Sequence, residues 1–304
     1  MKIREVLETL KGVLFGKDRA VELALCCLLA KGHLLIEDLP GIGKTTLALA
    51  LAKTLGLTFG RIQGTSDLLP SDITGSSIYN KKLESFVFQR GPIFHHVVLV
   101  DEINRMSPKT QSALLEPMEE GQVTVDGVTY PLPQPFFLIA TQNPIEYFGT
   151  FPLPEAQLDR FLMKISIGYP PRALEREILR RGGLKEEIVN LQALITPEEV
   201  LALQAKVREV QVSERVLDYL LDVVEKTRKH PLLLVGLSSR GALSLLAASK
   251  AKAFLQGRNY VVPEDIKELA PYVIPHRVIF REEYESQREH LLKEIFEELV
   301  VPVE

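Results

Sequence analysis

The most informative stretch of the sequence is a glycine-rich run at residues 37–46, EDLPGIGKTT. An apolar segment, residues 33–37, leads into it, and a helix-forming segment, LALALAKTL, follows it. Glycines let consecutive backbone N–H groups point to one side, and the start of a helix adds partial positive charge there. The run therefore predicts a loop that cradles a phosphate chain. Lys44 would reach the β- and γ-phosphates, and the Thr45 hydroxyl would hold Mg²⁺.

One position departs from the usual phosphate-loop pattern, G-x-x-x-x-G-K-[ST], because this chain has Asp38 where the first glycine is expected. We expect Asp38 to cap the turn, with its carboxylate directed away from the phosphates. The tight part of the loop is kept. The alternative is a chance glycine-rich loop before a helix. The residues that we expect to contact the nucleotide here are Pro40, Gly41, Ile42, Gly43, Lys44, Thr45 and Thr46.

The next informative segment is VVLVDEINR at residues 97–105, which contains two adjacent acidic residues. Its four apolar residues predict a buried strand, with Asp101 and Glu102 emerging at the end. An acid at this place can complete the ligand shell of Mg²⁺, and its neighbour can align and deprotonate an attacking water. Strands often end in acidic residues on solvated loops. The pair Asp101 and Glu102 therefore indicates a catalytic site only because a phosphate loop precedes it in the sequence.

Two further polar residues occupy places where they could assist the same chemistry. Asn143 follows the apolar strand FFLIATQ and would orient the attacking water, although an Asn-Pro pair also favours a simple turn. Arg160, in LPEAQLDRF, could bring positive charge to a γ-phosphate, most plausibly that of a neighbouring subunit. The alternative for Arg160 is a surface salt bridge with Asp159.

The composition is that of an ordinary globular protein. The 304 residues are 46% hydrophobic and 25% charged, and the formal net charge of −4 gives no overall attraction to nucleic acid or to an anionic membrane. No apolar run approaches the roughly 18 residues of a spanning helix, so we expect no membrane insertion. The first ten residues lack the apolar core of a signal peptide. The two cysteines, Cys26 and Cys27, are interpreted as core-filling thiols of a reducing compartment, and we expect a cytoplasmic protein.

The first 171 residues alternate β-rich runs with helical periods, including helices over 17–30 and 44–55. Continuous apolar strands between helices favour an α/β fold with a parallel sheet covered on both faces. The sequence YPPR at 169–172 then breaks the pattern, so we predict a nucleotide-binding domain at 1–171 and a second domain at 172–304. The five predicted strands are 33–37, 58–63, 96–101, 136–141 and 161–167.

The second predicted domain is a small helical bundle. Thr196, Pro197 and Glu199 form a capping box with proline in the first turn, which predicts a helix start. Helical spacing of apolar residues continues in the tail, where Leu291, Leu292, Ile295, Phe296 and Leu299 predict a helix packed on this bundle. The remaining predicted helices lie at 213–230, 239–257 and 263–273.

With these elements in place, the sequence resembles AAA+ ATPases, and more narrowly the MoxR family. The resemblance rests on LPSDITG at 69–75, DEINRMSPKTQSALLEPMEEGQVTVDG at 101–127, TQNP at 141–144 and FPLPEAQLDRF at 151–161. The second domain matches more loosely, through residues 237–258 and PHRV at 275–278. The implied fold is a P-loop AAA+ core, with a five-stranded parallel sheet sandwiched by helices, followed by a small all-α lid.

The resemblance also implies roles for individual residues. Lys44 and Thr45 would be the Walker A pair, and Asp101 and Glu102 the Walker B pair. Asn143 would be sensor 1, and Arg160 an arginine finger acting on a neighbouring subunit. Arg240 would be sensor 2, acting from the chain's own lid, and Gly16 would lie in the adenine-side loop. Residues 65–90 would be an insert in helix 2, and residues 121–132 the hairpin before sensor 1.

Pro117 and Phe148 differ from what the family leads us to expect, whereas Asp38 departs from the general P-loop pattern but resembles the acidic residues found there in MoxR-like chains. Pro117 must interrupt a helix where a small residue is usual, and Phe148 stands where an acidic residue is common. Neither change touches the nucleotide chemistry. Both leave the details of subunit or pore contacts open.

The predicted hairpin argues against a machine that moves along nucleic acid. Residues 121–135 contain no lysine or arginine, and gripping a phosphate backbone normally requires basic residues. Lys81 and Lys82 in the helix 2 insert are basic residues that could contact a phosphate backbone. A solvated turn is the favoured explanation for them. The tail from Glu282 onward is acidic, which is also a poor surface for nucleic acid.

These observations predict an ATP- and Mg²⁺-dependent ATPase that is weak as a monomer and stronger as a ring, and we expect that ring to be a hexamer. The resemblance implies a chaperone-like remodeller of protein complexes, including metal-dependent enzymes, that works with a partner carrying a von Willebrand A domain. Two alternatives stay open at this point. One is the motor subunit of a metal chelatase, and the other is a nucleotide-dependent scaffold that hydrolyses little.

Overall fold

A five-stranded parallel sheet forms the centre of the first region, in a computed structural model that describes residues 2–145, 149–180, 183, 185–298 and 301. The spatial order of the strands is β2, β5, β8, β1, β9. All neighbouring pairs are parallel, so every strand ends at the same edge. All five predicted strands are present. Their bounds are β1 Leu34–Glu37, β2 Phe59–Gln63, β5 Val97–Asp101, β8 Phe137–Gln142 and β9 Met163–Ile165.

Helices cover both faces of this sheet because its strands are apolar on both sides. Leu34 and Ile36 of β1 belong to one buried cluster with the N-terminal helices, whereas Leu35 belongs to a second cluster on the opposite face. This confirms the predicted sandwiched α/β core. The helices of the first region are α1 Lys2–Val13, α2 Asp18–Leu29, α3 Lys44–Thr54, α4 Pro70–Thr74, α5 Pro108–Ser112, α6 Leu115–Glu120 and α7 Glu155–Leu158, with a 3₁₀ turn at Ile103–Arg105.

Pro117 lies in the first turn of α6, where its missing N–H costs no intrahelical hydrogen bond. The expected interruption falls before it, between Ser112 and Leu115, where α5 and α6 are separate short helices. Phe148 lies outside the described residues.

Two antiparallel hairpins extend from this core and contact each other. The first pairs β3, Gly75–Asn80, with β4, Ser85–Arg90, and the second pairs β6, Gln122–Val125, with β7, Val128–Pro131. In the second hairpin Asp126 and Gly127 both have positive φ, as a type I′ turn requires. The Phe88 and Tyr130 rings stack with centroids 4.1 Å apart, which joins the two hairpins.

The second region is mainly helical, as predicted. Its helices are α8 Arg172–Arg180, α9 Lys185–Val189, α10 Pro197–Arg208, α11 Glu214–Lys229, α12 Ser239–Leu255, α13 Pro263–Val273 and α14 Arg288–Glu297, with 3₁₀ turns at Pro275–Arg277 and Glu282–Gln287. Thr196 and Glu199 form the expected capping box of α10. Helix α14 buries Leu291, Leu292, Ile295 and Phe296, which confirms the helix predicted in the tail, while Leu299 lies outside the described residues.

One element of this region was not predicted. Strands β10, Leu233–Val235, and β11, Ile279–Phe280, form a short antiparallel pair, so the helical lid also carries a small sheet. Both strands are too short to produce a periodic signal in the sequence. Within the described part of the chain, no helix is long and apolar enough to cross a membrane.

The second region packs directly on α2. Lys252 of α12 is 3% exposed, and its Nζ contacts Glu22 of α2 at 2.6 Å and Glu268 of α13 at 2.9 Å. Arg19 of α2 also pairs with Glu268. Apolar residues of α1, α2 and α3 share one buried cluster with those of α10 to α14. The helical lid is therefore held against the N-terminal helices by a common core and a buried ion network.

His33, directly before β1, is a buried link between layers of the core. Its Nδ1 accepts a hydrogen bond from the Leu138 N–H at 3.1 Å, and its Nε2 lies 2.9 Å from the Met118 carbonyl oxygen. A neutral ring that carries its proton on Nε2 satisfies both contacts. Burial lowers the pKa of His33 to about 4, and the hydrogen bond to Met118 offsets this only in part.

The depressed pKa of His33 predicts loss of stability in mild acid. The unfolded chain binds a proton to this residue below about pH 6.5, whereas the folded chain does so only near pH 4, so protons favour unfolding as the pH falls. This residue should account for a loss of about 2 kcal/mol of unfolding free energy between pH 7 and pH 5. Denaturant unfolding of wild type and His33→Gln at both pH values measures it. An equal loss in the two proteins would contradict the assignment.

Candidate functional site

The glycine-rich loop connects β1 to α3, and two of its glycines have positive φ. Gly41 and Gly43 lie at φ 85° and 93°, and Gly43 is the N-cap of α3. A Cβ at Gly43 would also collide with the Nζ of Lys17, which donates a hydrogen bond to the Ile42 carbonyl. Both glycines are therefore needed, one for its backbone angle and the other also for space. The helix start and the amides of this loop form the geometry of a phosphate site.

Most of the predicted site residues line one cavity of about 330 Å³ at the carboxyl edge of the sheet. The cavity joins the loop to the ends of β2, β5 and β8, because parallel strands end on the same side. Ligand sites of open α/β sheets lie in this position. The lining residues are Pro40, Gly41, Gly43, Lys44, Thr45, Thr46, Arg61, Asp101, Glu102 and Asn143.

The lysine of the loop is buried and already hydrogen-bonded. Lys44 is 9% exposed, and its Nζ donates to the backbone carbonyl of Asp38. Burial lowers the pKa of Lys44, while the charges of Asp38, Asp101 and Glu102 act in the opposite direction. An anionic phosphate entering the cavity would add to those favourable charges.

The two acids at the end of β5 are held by Thr141 of β8. The Thr141 hydroxyl donates to Asp101 Oδ1 at 2.6 Å and accepts from the Glu102 N–H at 2.9 Å. Glu102 adopts φ 56°, a left-handed backbone that is rare for this residue type. A strained backbone held by a neighbouring strand is typical of functional sites, and here it orients two adjacent acids differently.

Two residues at the end of β2, which the sequence interpretation missed, contact these acids. Arg61 Nη2 lies 2.7 Å from Asp101 Oδ2, and Gln63 Nε2 donates to Glu102 Oε2 at 3.1 Å. The signal was present, since β2 alternates in burial and pairs with β5 in a register that places Gln63 beside Asp101. The sequence does not show that β2 and β5 are neighbours in the sheet, so these contacts could not be predicted from it.

Asn143 lines the cavity and also makes the local contact that the alternative interpretation describes. Its Oδ1 accepts a hydrogen bond from the Ile145 N–H at 3.2 Å, as in an Asx-type turn. The turn fixes the backbone, and the amide group of Asn143 remains at the cavity wall. The two interpretations of this residue are therefore compatible.

The residues expected to hold Mg²⁺ are compatible with such an ion. Mg²⁺ in nucleotide sites is usually bound by one or two protein oxygens together with phosphate oxygens and water. The Thr45 hydroxyl and the Asp101 carboxylate face the same cavity and supply oxygens of that kind. The Arg61 guanidinium at Asp101 Oδ2 supplies positive charge to that carboxylate instead.

Arg160 and Arg240 line a different cavity, of about 320 Å³, rather than the one at the glycine-rich loop. Arg160 pairs with Glu119, whose Oε1 also lies 3.9 Å from Arg240. Asp159 pairs with Arg240 at 3.6 Å and with the buried Arg277 at 2.9 Å. The alternative salt bridge between Arg160 and Asp159 is therefore not what the structure shows.

Arg240 lines the cavity of Arg160 and not the cavity at the glycine-rich loop, so its expected role as a sensor of nucleotide bound to its own chain stays a prediction. Helix α12 begins at Ser239, and its first turn faces Glu119 and Asp159 rather than the glycine-rich loop. Helix α12 packs on α2 in the common core, and at its start Arg240 reaches the acids that also contact Arg160 and Arg277. The two arginines thus belong to one shared site.

Gly16 and Ile42 lie beside the nucleotide cavity without lining it. Gly16 has φ 73° and packs so closely on Pro171 and Leu174 that a Cβ would clash. Ile42 is buried, and its carbonyl is the acceptor of the Lys17 contact. The loop of Gly16 therefore adjoins the phosphate loop through Lys17, whereas the expected contact of Gly16 with adenine stays a prediction.

The fold and the site together define a P-loop ATPase core with a helical lid, and comparison with known proteins gives the same result. The ATPase family associated with various cellular activities (AAA) matches residues 33–163, and the AAA lid domain matches residues 225–299. The protein YeaC of Bacillus subtilis (strain 168) is 49% identical over 303 residues, covering 99% of this chain and 95% of YeaC.

Chaperone MoxR1 of Mycobacterium tuberculosis is 41% identical over 294 residues, which cover 94% of this chain and 77% of MoxR1. A crystal structure from Cytophaga hutchinsonii, 39% identical in sequence, superposes with a TM-score of 0.89 and covers 99% of this chain and 95% of that chain. The chain belongs to the MoxR-type AAA+ ATPases.

The contact of Arg61 with Asp101 predicts competition between this guanidinium and Mg²⁺. In Arg61→Gln, the Mg²⁺ concentration at half-maximal ADP binding should fall roughly two- to fivefold, because removing a partly exposed opposing charge is worth up to about 1 kcal/mol. A Mg²⁺ titration with a fluorescent ADP analogue measures the midpoint, with Arg215→Gln on the exposed side of α11 as control. A midpoint that stays constant or rises would refute the competition.

Proposed function

We propose that this chain is an ATP-hydrolysing subunit whose active site is completed by a second copy of itself. One observation carries the proposal. The phosphate loop, the acids and Asn143 share one cavity, whereas the two candidate arginines line another cavity of the same chain. A chain with both halves, placed apart, can complete its site by assembling head to tail, and head-to-tail interfaces close into a ring when the rotation between subunits closes. We propose a hexameric ring.

The chemistry that this arrangement supports is phosphoryl transfer to water. Lys44 would neutralise the β- and γ-phosphate oxygens, and the loop amides would hold the phosphate chain in place. Glu102 would accept the proton of the attacking water, and the Asn143 amide would orient that water. Mg²⁺ held through Thr45 and Asp101 would neutralise further charge on the phosphates. Positioning and charge neutralisation provide most of the catalysis in this reaction class.

The cavity of Arg160 and Arg240 has the electrostatics of a site for an external anion. Burial lowers the pKa of the Arg160 guanidinium, and the positive charge of Arg240 lowers it further. Nη1 of Arg160 faces Glu119, but its Nε is buried without a hydrogen-bond partner within the described chain. A γ-phosphate presented by the neighbouring subunit would satisfy this donor, so we place both arginines in the neighbour's active site.

Mixing two inactive variants tests whether the arginine acts between subunits. Lys44→Ala should lose nucleotide binding but keep its arginines, and Arg160→Ala should keep its nucleotide cavity. Each alone should hydrolyse ATP at least roughly 100-fold more slowly than wild type, since such an arginine contributes on the order of 10³ in rate. An equimolar mixture should recover about a quarter of the wild-type rate, because random assembly completes that fraction of interfaces.

Two controls make the mixing experiment decisive. Arg215→Ala, a change on the exposed surface of α11, should keep full activity alone. A mixture of Lys44→Ala with Glu102→Gln should stay inactive, since no interface then contains a complete nucleotide site. If the mixture of Lys44→Ala and Arg160→Ala hydrolysed ATP no faster than either variant alone, the proposal that Arg160 acts on the site of a neighbouring subunit would be rejected.

The work that ATP drives is, in our proposal, chaperone-like remodelling of protein complexes with a partner that carries a von Willebrand A domain. The support is the membership in the MoxR-type ATPases and the name of the relative, Chaperone MoxR1, which covers most of the chain. The two hairpins that extend from the core also expose apolar side chains that a folded partner could contact. They include Ile78, Tyr79, Leu83, Phe86 and Val128.

Capture by an arrested variant tests this output. Glu102→Gln should bind ATP without hydrolysing it, because the carboxylate that accepts the proton is gone while the phosphate loop is intact. In ATP it should retain client proteins and a von Willebrand A domain partner, identified by mass spectrometry, and Lys44→Ala should retain neither. Recovery of the same background proteins with both variants would argue against remodelling.

A further inference from the structure

Asp38, the residue that departs from the usual loop pattern, has its carboxylate bound to the segment that follows β9. Its Oδ2 accepts hydrogen bonds from the Ser166 hydroxyl at 2.8 Å and from the N–H groups of Ile167 and Gly168 at 2.8 and 2.7 Å. Its Oδ1 accepts from the Leu39 N–H at 2.8 Å. The carboxylate therefore points away from the phosphate cavity, as expected, and spans two separate parts of the chain.

The segment after β9 is shaped to receive this carboxylate. Strand β9 stops at Ile165, two residues before the predicted end, so the N–H groups of Ile167 and Gly168 are not used by the sheet. Gly168, whose N–H donates to Asp38, has φ 72°, a left-handed backbone that favours glycine. Partial burial alone would raise the pKa of Asp38, but hydrogen bonds led by that from Gly168 outweigh it, and the pKa lies below its ordinary value.

The backbone of the same residue contacts the phosphate-binding lysine. The Asp38 carbonyl accepts the hydrogen bond of Lys44 Nζ, while the Asp38 side chain holds residues 166–168. Residues 166–168 continue through residues 169–171 into α8, where the second region begins. Asp38 therefore contacts both Lys44, which would bind the nucleotide phosphates, and residues 166–168, which lead to the helical lid.

We propose that Asp38 is a positioning residue that transmits nucleotide occupancy from the phosphate loop to residues 166–180. A phosphate chain in the cavity draws Lys44 Nζ away from the Asp38 carbonyl, because a phosphate oxygen is the more highly charged acceptor. Asp38 then shifts with the loop, and the hydrogen bonds of its carboxylate carry the shift to residues 166–168. The inference rests on the proposed function, since it requires nucleotide at this loop.

A purely structural role for Asp38 gives a different expectation. A carboxylate that only caps the turn would stabilise residues 166–168 equally with and without nucleotide, as caps generally do. A transmitting carboxylate makes the mobility of residues 166–180 depend on whether the loop is occupied. Reciprocal coupling of this kind typically corresponds to a change of about 5-fold or more.

Hydrogen–deuterium exchange with and without saturating Mg²⁺-ADP separates the two roles. In wild type, ADP should slow exchange in residues 38–46 and alter exchange in residues 166–180 by about fivefold or more. In Asp38→Ala, ADP should still slow exchange in residues 38–46, while its effect on residues 166–180 falls below about twofold. The matched control is Asp72→Asn, since Asp72 Oδ2 accepts a backbone N–H from Leu69 away from this site. This control should respond as wild type does.

A second variant keeps the test informative if Asp38→Ala folds poorly. Ser166→Ala removes one hydrogen bond to Asp38 without changing the loop, and should reduce the response of residues 166–180 about twofold relative to wild type. A full ADP response at residues 166–180 in either variant overturns the proposal. Loop protection without any response of residues 166–180 in wild type also overturns it. No loop protection in wild type would instead reject nucleotide binding, and with it the proposed function.

Discussion

The parallel alignment of the central strands is the constraint on which the rest of the structure depends. Residues 37–46 follow β1, the acids follow β5 and Asn143 follows β8, and only a parallel sheet brings these three ends to one edge. A parallel sheet must be covered on both faces, which is why its strands are apolar throughout and why helices and hairpins surround it. The packing of the core and the position of the polar residues are therefore two results of one topology.

The polar residues at this edge hold one another through contacts within the chain. Thr141 bridges the two acids, Arg61 and Gln63 contact them from β2, and the Asp38 carbonyl holds Lys44. Charges fixed by neighbouring strands need little rearrangement when a substrate binds, and preorganisation of this kind is a large part of enzymatic rate enhancement. The left-handed backbone of Glu102 fits the same interpretation, since a strained residue persists only where its surroundings determine its conformation.

Much of the fold and the site could be predicted from the sequence because the relevant signals are local. The strands are continuous apolar runs, the glycine loop is contiguous, and Thr196 and Glu199 cap a helix by spacing alone. The roles of Arg61 and Gln63 could not be read in this way, since they depend on which strands are neighbours. The position of Arg240 depends on how α12 packs on α2, which is a contact between residues far apart in sequence. The strand pair β10 and β11 is too short to leave a periodic pattern.

The common core of the N-terminal helices and the helical lid has a consequence for the way this molecule comes apart. Apolar residues from α1 to α3 and from α10 to α14 belong to one buried cluster, and Lys252 is buried between α12 and α2. Cutting the chain at the junction of its two regions would expose a large apolar surface on each piece and would separate Lys252 from Glu22. The two regions are thus units of sequence pattern and of evolutionary resemblance, but because they share one core, the packing of each depends on the other.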